Sequence, residues 1–193
     1  PSCHKALGEA MAILAGDALS VLPFEIIADD TALDAQSKVR IFSELTKAVG
    51  RNGMIGGQVI DMENEERSDV DEANLRNMYK HKTGELIAVS CVMGCICAGA
   101  DEEAVSAARE YGFKLGLAFQ IIDDILDVTS TAEELGKPIG SDEEENKTTF
   151  VTLYGVDKAR EIADNITNEA MDRLKSFEND SFLTELTEML LKR

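Results

Sequence analysis

Apolar residues recur along this chain three and four positions apart, the spacing of one helical face, and no stretch alternates as a half-buried strand would. From His4 to about Ala28, Leu7, Ala10, Met11, Leu14, Ala15, Ala18, Leu19 and Leu22 keep that spacing. Pro23 is expected to kink or restart this helix. Asp34 stands where it can cap a second helix carrying Val39, Ile41, Phe42, Leu45, Ala48 and Val49, which the pattern extends through glycine-rich 50–57 to about Met62. Polar Glu63 to Asp69 reads as a loop.

Asp71 opens a shorter helix to about Tyr79, and an apolar one follows from Lys82 to Ala98, with a kink expected at Gly84 and an end at Gly99. Asp101 then caps a long helix to about Thr129. Ser130 to Asn146, with Gly136, Pro138, Gly140 and the acid run 142–145, is the longest loop signal and exceeds the usual connection, which points to function or mobility. Asp157 and Asp180 mark the starts of two last helices, the final one with Leu183, Leu186, Met189 and Leu190 on its apolar face. No repeat or linker divides the chain, so the pattern predicts an all-α helical bundle in a single domain, 1–193.

Length and composition fit that expectation: 193 residues, 44% hydrophobic and 29% charged, suit one folded domain with a substantial core. Charge narrows the partners. With 19 basic and 37 acidic residues the net charge is −18, which argues against nucleic acid and against an anionic membrane surface. No run approaches the roughly 18 apolar residues of a membrane span, and residues 1–5 show no signal pattern, so a cytosolic location is expected. Cys3, Cys91, Cys95 and Cys97 are too few for a disulfide framework, and a helical Cys-x-x-x-Cys-x-Cys series points its third sulfur away from the first two. They read as small buried thiols.

The chemistry concentrates in Phe119-Gln120-Ile121-Ile122-Asp123-Asp124-Ile125-Leu126-Asp127. Positions 120, 123, 124 and 127 are three and four apart, which puts an amide and three carboxylates on one helical stripe, opposite a wholly apolar side. Carboxylates so close repel one another unless a cation lies between them. Mg²⁺ suits an open stripe, because it keeps several waters and takes one or two carboxylates together with phosphate oxygens. Ca²⁺ fits less well in the absence of an Asp-x-Asp-x-Asp-Gly loop, and a solvated acidic face is the other reading. Gln58 and Asp61, His81-Lys82-Thr83-Gly84, Lys137 and Lys147 also interrupt apolar helices or bracket the acidic loop. Each alone reads as surface; together they supply cations and donors for a metal-bound polyphosphate.

With these segments in place, the sequence resembles the trans-isoprenyl diphosphate synthases, or polyprenyl synthetases, and among them the bacterial farnesyl and geranylgeranyl diphosphate synthases. The resemblance rests on residues 1–5 leading into 8–19, then Gly57-Gln58-Val59-Ile60-Asp61, His81-Lys82-Thr83-Gly84, the 119–127 segment, and Gly136-Lys137 through Lys147-Thr148, in the family's order along the whole chain. It implies an isoprenoid-synthase-type bundle, of which this chain is the larger C-terminal part. It implies that Asp123, Asp124 and Asp127 form the second aspartate-rich motif and hold Mg²⁺ against an allylic diphosphate. Lys82, Lys137 and Lys147 would contact that diphosphate, Thr83 and Gln120 would face the allylic cation, and His4 would contact isopentenyl diphosphate. Isopentenyl diphosphate and dimethylallyl, geranyl or farnesyl diphosphate are the implied substrates, with a homodimer as the implied assembly.

Family members also carry a first aspartate-rich motif, and upstream of it a Gly-Lys-x-x-Arg site, ahead of the residues matching Pro1. This polypeptide begins after both, so it is expected to be truncated and inactive alone. Ser141 and Phe150-Val151 depart from the family's usual Lys and Tyr-Pro. A non-catalytic or regulatory subunit of a heteromeric synthase, and more distantly a terpene cyclase, are the alternative readings.

Overall fold

Helical spacing becomes helix throughout, and among the described residues no strand forms. The computed structural model describes residues 1–130 and 147–191. Lys137, Ser141 and the acid run 142–145 lie outside the described residues. The chain separates into two compact units, Pro1–Ser43 and Glu44–Arg193.

In the first unit, the helix expected from His4 onward is two pieces, α1 (Cys3–Leu7) and α2 (Glu9–Asp29), because Gly8 between them takes φ 87°, open to a residue without a Cβ. Pro23 stands inside α2 without ending it. Lys38 Nζ donates to the carbonyls of Ala28 at 2.7 Å and Asp30 at 2.6 Å, placing a cation where the last carbonyls of α2 lack partners. Phe24 and Phe42 stack with ring centroids 5.8 Å apart. Most apolar side chains of α2 are exposed, Ile13 and Leu19 at 66% each, and Ile27 alone is buried. By length and composition alone, its 21 residues could cross a bilayer. Asp17 and Glu25 break the run, so no unbroken apolar stretch of that length occurs, as expected, although the helix stays apolar on average.

The boundary between the units falls within α3 (Ala35–Val49), which is followed by α4 (Met54–Glu65). The continuous helix expected across 50–57 is broken at Gly50 to Gly53, where the Gly53 N–H bonds the Gly50 carbonyl at 3.0 Å. Glycines lose most by being held helical, so the break falls at them. Next comes α5 (Glu72–Tyr79), closed at its start by a reciprocal box: Asn74 N–H donates to Asp71 Oδ1 at 2.9 Å and Asp71 N–H to Asn74 Oδ1 at 3.1 Å. A π-helical turn (Lys80–Gly84) joins it to α6 (Glu85–Cys97) with the backbone helical throughout. The expected gap and Gly84 kink are therefore a π-bulge within one continuous helix.

The longest helix, α7 (Glu102–Thr129), starts as its sequence dictates, with Asp101 Oδ1 accepting from Ala104 N–H at 2.8 Å. It is followed by α8 (Phe150–Tyr154), α9 (Val156–Leu174) and α10 (Ser181–Leu191). The pattern did not show α8, which is only five residues long.

Residues of α7 pack chiefly against α6 and α9. A Cβ on Gly112 would lie 2.4 Å from Ala88 Cα, and one on Gly116 2.7 Å from Gly84 Cα, so the absence of side chains is what lets α7 approach α6 so closely. Ile121, Ile122 and Ile125 enter a core with Leu75, Met78, Tyr79, Phe150 and Ala163. Tyr111 closes the far end, its hydroxyl 2.7 Å from Thr187 Oγ1 of α10. Cys3 and Cys97 are exposed while Cys91 and Cys95 are half-buried. The reading of four buried thiols therefore holds, in part, only for the two that line the apolar side of α6.

Candidate active site

The site grows from the contact between α4 and the π-helical turn. Gly57 permits that contact, since a Cβ there would stand 2.2 Å from Lys82 N and 2.6 Å from His81 C. One helical turn on, Asp61 Oδ2 accepts from Lys82 Nζ at 2.6 Å and from Gln58 Nε2 at 3.2 Å. A further turn on, Glu65 Oε1 lies 3.4 Å from Lys147 Nζ. Two carboxylates four residues apart on α4 thus hold two lysines on one face.

On the opposite wall, α7 contributes Gln120, Asp123 and Asp124 to the same pocket of about 210 Å³, which Asn64, Met78, Tyr79, Thr148 and Thr149 complete. Thr83 donates to Gln120 Oε1 at 2.9 Å and so ties the π-helical turn to α7. Asp124 is 4% exposed, and its Oδ2 accepts from Tyr79 hydroxyl at 2.7 Å and from Phe150 N–H at 3.3 Å. Asp127 is 2% exposed and does not line the pocket. The aspartates therefore do not share one open face. Adjacent helical residues differ by about 100° in direction, and here Asp123 is half-buried at the pocket while Asp124 is engaged by α5 and α8.

Five of the residues expected from sequence, Lys82, Gln120, Asp123, Asp124 and Lys147, come together in this pocket, with Thr83 bonded to one of them. His4 belongs to the first unit, where it is exposed with Nδ1 3.2 Å from Ser2 Oγ. Lys137 is outside the described residues. Sequence reasoning passed over Glu65, Asn64 and Tyr79. Their only signal was their place, one turn past Asp61 or immediately before the Lys80–Gly84 turn.

Among the described residues, no three His, Cys, Asp or Glu side chains are gathered as a ready-made metal cage. The donor set nevertheless suits a hard, hydrated cation. It is all oxygen, with Asp61, Glu65, Asp123 and Asp124 bordering one pocket, and buried Asn64 Oδ1 meets no donor, as an acceptor awaiting water would. A larger cavity of about 700 Å³ between α6, α7, α9 and α10 is apolar, lined by Cys91, Leu115, Leu174 and Leu186 among others, and lacks charged groups for such chemistry.

Residues 1–190 match the family model described as Polyprenyl synthetase. The chain is 42% identical over 179 residues to a chloroplastic geranylgeranyl pyrophosphate synthase of Catharanthus roseus, covering 92% of this chain and 50% of that protein. It is 41% identical over 192 residues to a dimethylallyltranstransferase of Fischerella ambigua, covering 98% and 56%. Its fold superposes on a geranyltransferase from Helicobacter pylori, crystallised with magnesium and isoprenyl diphosphate, with a TM-score of 0.84 at 34% identity, covering 100% of this chain and 63% of that one. The chain thus spans about half the length of the curated relatives it matches.

Proposed function

The chain belongs to the polyprenyl synthetase family, and from that premise we propose that it contributes the allylic diphosphate half of a prenyltransferase site. The reaction is condensation of isopentenyl diphosphate with dimethylallyl, geranyl or farnesyl diphosphate to a short-chain prenyl diphosphate. The observation that carries this reading is the pocket in which Lys82 and Lys147 face Gln120, Asp123 and Asp124.

In the proposed roles, Lys82 and Lys147 bind the diphosphate, joined by Lys137. Asp123, Asp124 and Asp127 would provide carboxylate oxygens toward Mg²⁺, Asp123 and Asp124 bordering the pocket and Asp127 buried outside its lining. Bound Mg²⁺ supplies positive charge that offsets the carboxylates and stabilises the leaving diphosphate. As the allylic C–O bond breaks, its electron pair leaves with the diphosphate. The oxygens of Thr83 and Gln120 stabilise the allylic cation as oriented dipoles. The alkene of isopentenyl diphosphate then forms the new C–C bond, and the neighbouring carbon loses its proton to the departing diphosphate. His4 is proposed to contact the isopentenyl diphosphate.

We also propose a homodimer, supported by the exposed apolar side chains of α2, which a second copy would cover. A cytosolic location belongs to the same proposal, and recovery of the protein in the membrane fraction of lysed cells would oppose it. The decisive experiment incubates the protein, expressed as its gene encodes it, with dimethylallyl and isopentenyl diphosphates and Mg²⁺. Longer prenyl diphosphates in the extract are expected, and their absence sinks the proposal.

A further inference from the structure

Tyr79 lies outside every role assigned above, yet it reaches across 45 residues of sequence to the carboxylate stripe. It is the last residue of α5, 3% exposed, immediately before the π-helical turn that carries Lys82 and Thr83. Its ring packs on Phe150 with centroids 5.9 Å apart. Its hydroxyl donates to Asp124 Oδ2 at 2.7 Å, and Phe150 N–H donates to the same oxygen at 3.3 Å.

A carboxylate so buried has little water to orient it. Two donors on one oxygen fix the plane of the group, because rotation about the Cβ–Cγ bond would break both bonds. Tyr79 and Asp124 both border the pocket that Asp123, Lys82 and Lys147 share. One side chain therefore connects the turn that presents Lys82 to the helix that presents Asp123.

We propose that Tyr79 is a positioning residue that sets the orientation of Asp124 toward a divalent cation held with a diphosphate in this pocket. The inference rests on the metal–diphosphate reading of the site, and loss of a partner that orients a metal-binding carboxylate typically weakens metal affinity by about 10–100-fold.

Mn²⁺ binding to the 193-residue chain, with inorganic pyrophosphate present, tests it by electron paramagnetic resonance titration. Four proteins are compared: wild type, Tyr79→Phe, Asp124→Asn and the double variant. Tyr79→Phe keeps the ring and its packing, and is expected to weaken Mn²⁺ binding about tenfold. If Tyr79 acts through Asp124, adding Tyr79→Phe to Asp124→Asn changes Mn²⁺ affinity by less than about twofold. A merely structural tyrosine lowers the melting temperature in both backgrounds but leaves wild-type Mn²⁺ affinity or a fully additive loss, and either result overturns the proposal. If wild type shows no pyrophosphate-dependent Mn²⁺ binding, the metal–diphosphate reading falls and this inference falls with it. Wild-type binding with an unaltered Tyr79→Phe removes the inference alone.

Discussion

Lys82 Nζ lies 2.6 Å from Asp61 Oδ2, and the carboxylate it meets belongs to a residue only 5% exposed. The lysine proposed for diphosphate binding is therefore held in place before any ligand arrives, by an acid one helical turn beyond the close contact at Gly57. Removing the lysine leaves that acid with Gln58 as its remaining donor. Lys82→Ala is expected to lower unfolding free energy by about 1–3 kcal/mol in urea titrations. Adding Asp61→Asn should recover most of the loss, because the uncompensated charge is then gone. Full additivity of the two changes would show that the pair is not the source.

Gly57→Ala is expected to cost about 3 kcal/mol or more, since its Cβ would meet backbone atoms of the π-helical turn at 2.2 and 2.6 Å and neither wall can rotate away. Gly94→Ala in α6 is the contrasting case. Nothing outside its own stretch of helix lies within 4 Å of the Cβ position, so helix propensity should make it stabilising by up to about 1 kcal/mol. Thermal or denaturant unfolding separates the two, and equal effects would contradict the close approach.

Asp123→Ala should slow the proposed condensation by about 100-fold or more at saturating Mg²⁺, with stability nearly unchanged because this carboxylate is half-buried at the pocket wall. Steady-state rates and a melting curve on the same preparation give both numbers. Wild-type turnover in the variant refutes its metal role.

Thiol labelling should follow burial. Desolvation pushes the Cys91 thiol up to about 11, with Cys95 adding to the effect, and burial also raises Cys95. At pH 8 iodoacetamide should modify exposed Cys3 and Cys97 about two orders of magnitude faster than Cys91, because the thiolate is the reacting form. Mass spectrometry over time reads the order. The same shift has a sign for stability: above pH 9 the unfolded chain ionises Cys91 first, so the contribution falls as pH rises toward 11.

What could be read from the residues depended on whether their consequences were local. Asp101 and the run to Thr129 named α7 correctly, since cap and periodicity act within a turn or two. Lys82, Gln120, Asp123 and Lys147 also stood out, as charge or polarity against apolar helix, and they border one pocket. Tyr79 did not stand out, because an aromatic residue at a helical position looks like core until its hydroxyl meets a carboxylate 45 residues away. The π-helical turn was invisible for another reason: a change from i→i+4 to i→i+5 bonding needs no special composition. At α2 two measures diverge, because Asp17 and Glu25 break the apolar run while the average over the helix stays apolar.

The bulge at Lys80–Gly84 also sets a register. A π-turn holds one residue more than the α-helical path it replaces, so the segments on its two sides stand out of the register that a plain α-helix would give them. Deleting one codon there would restore an unbroken α-helix and rotate everything on one side of it by about 100° against the other. Tyr79 stands immediately before the bulge and Lys82 within it, so removing a residue between them would turn the two away from their shared pocket. The register of this pocket wall therefore hangs on a single residue: the helix runs on from the bulge into α6, and the extra residue sets which of its side chains face the pocket.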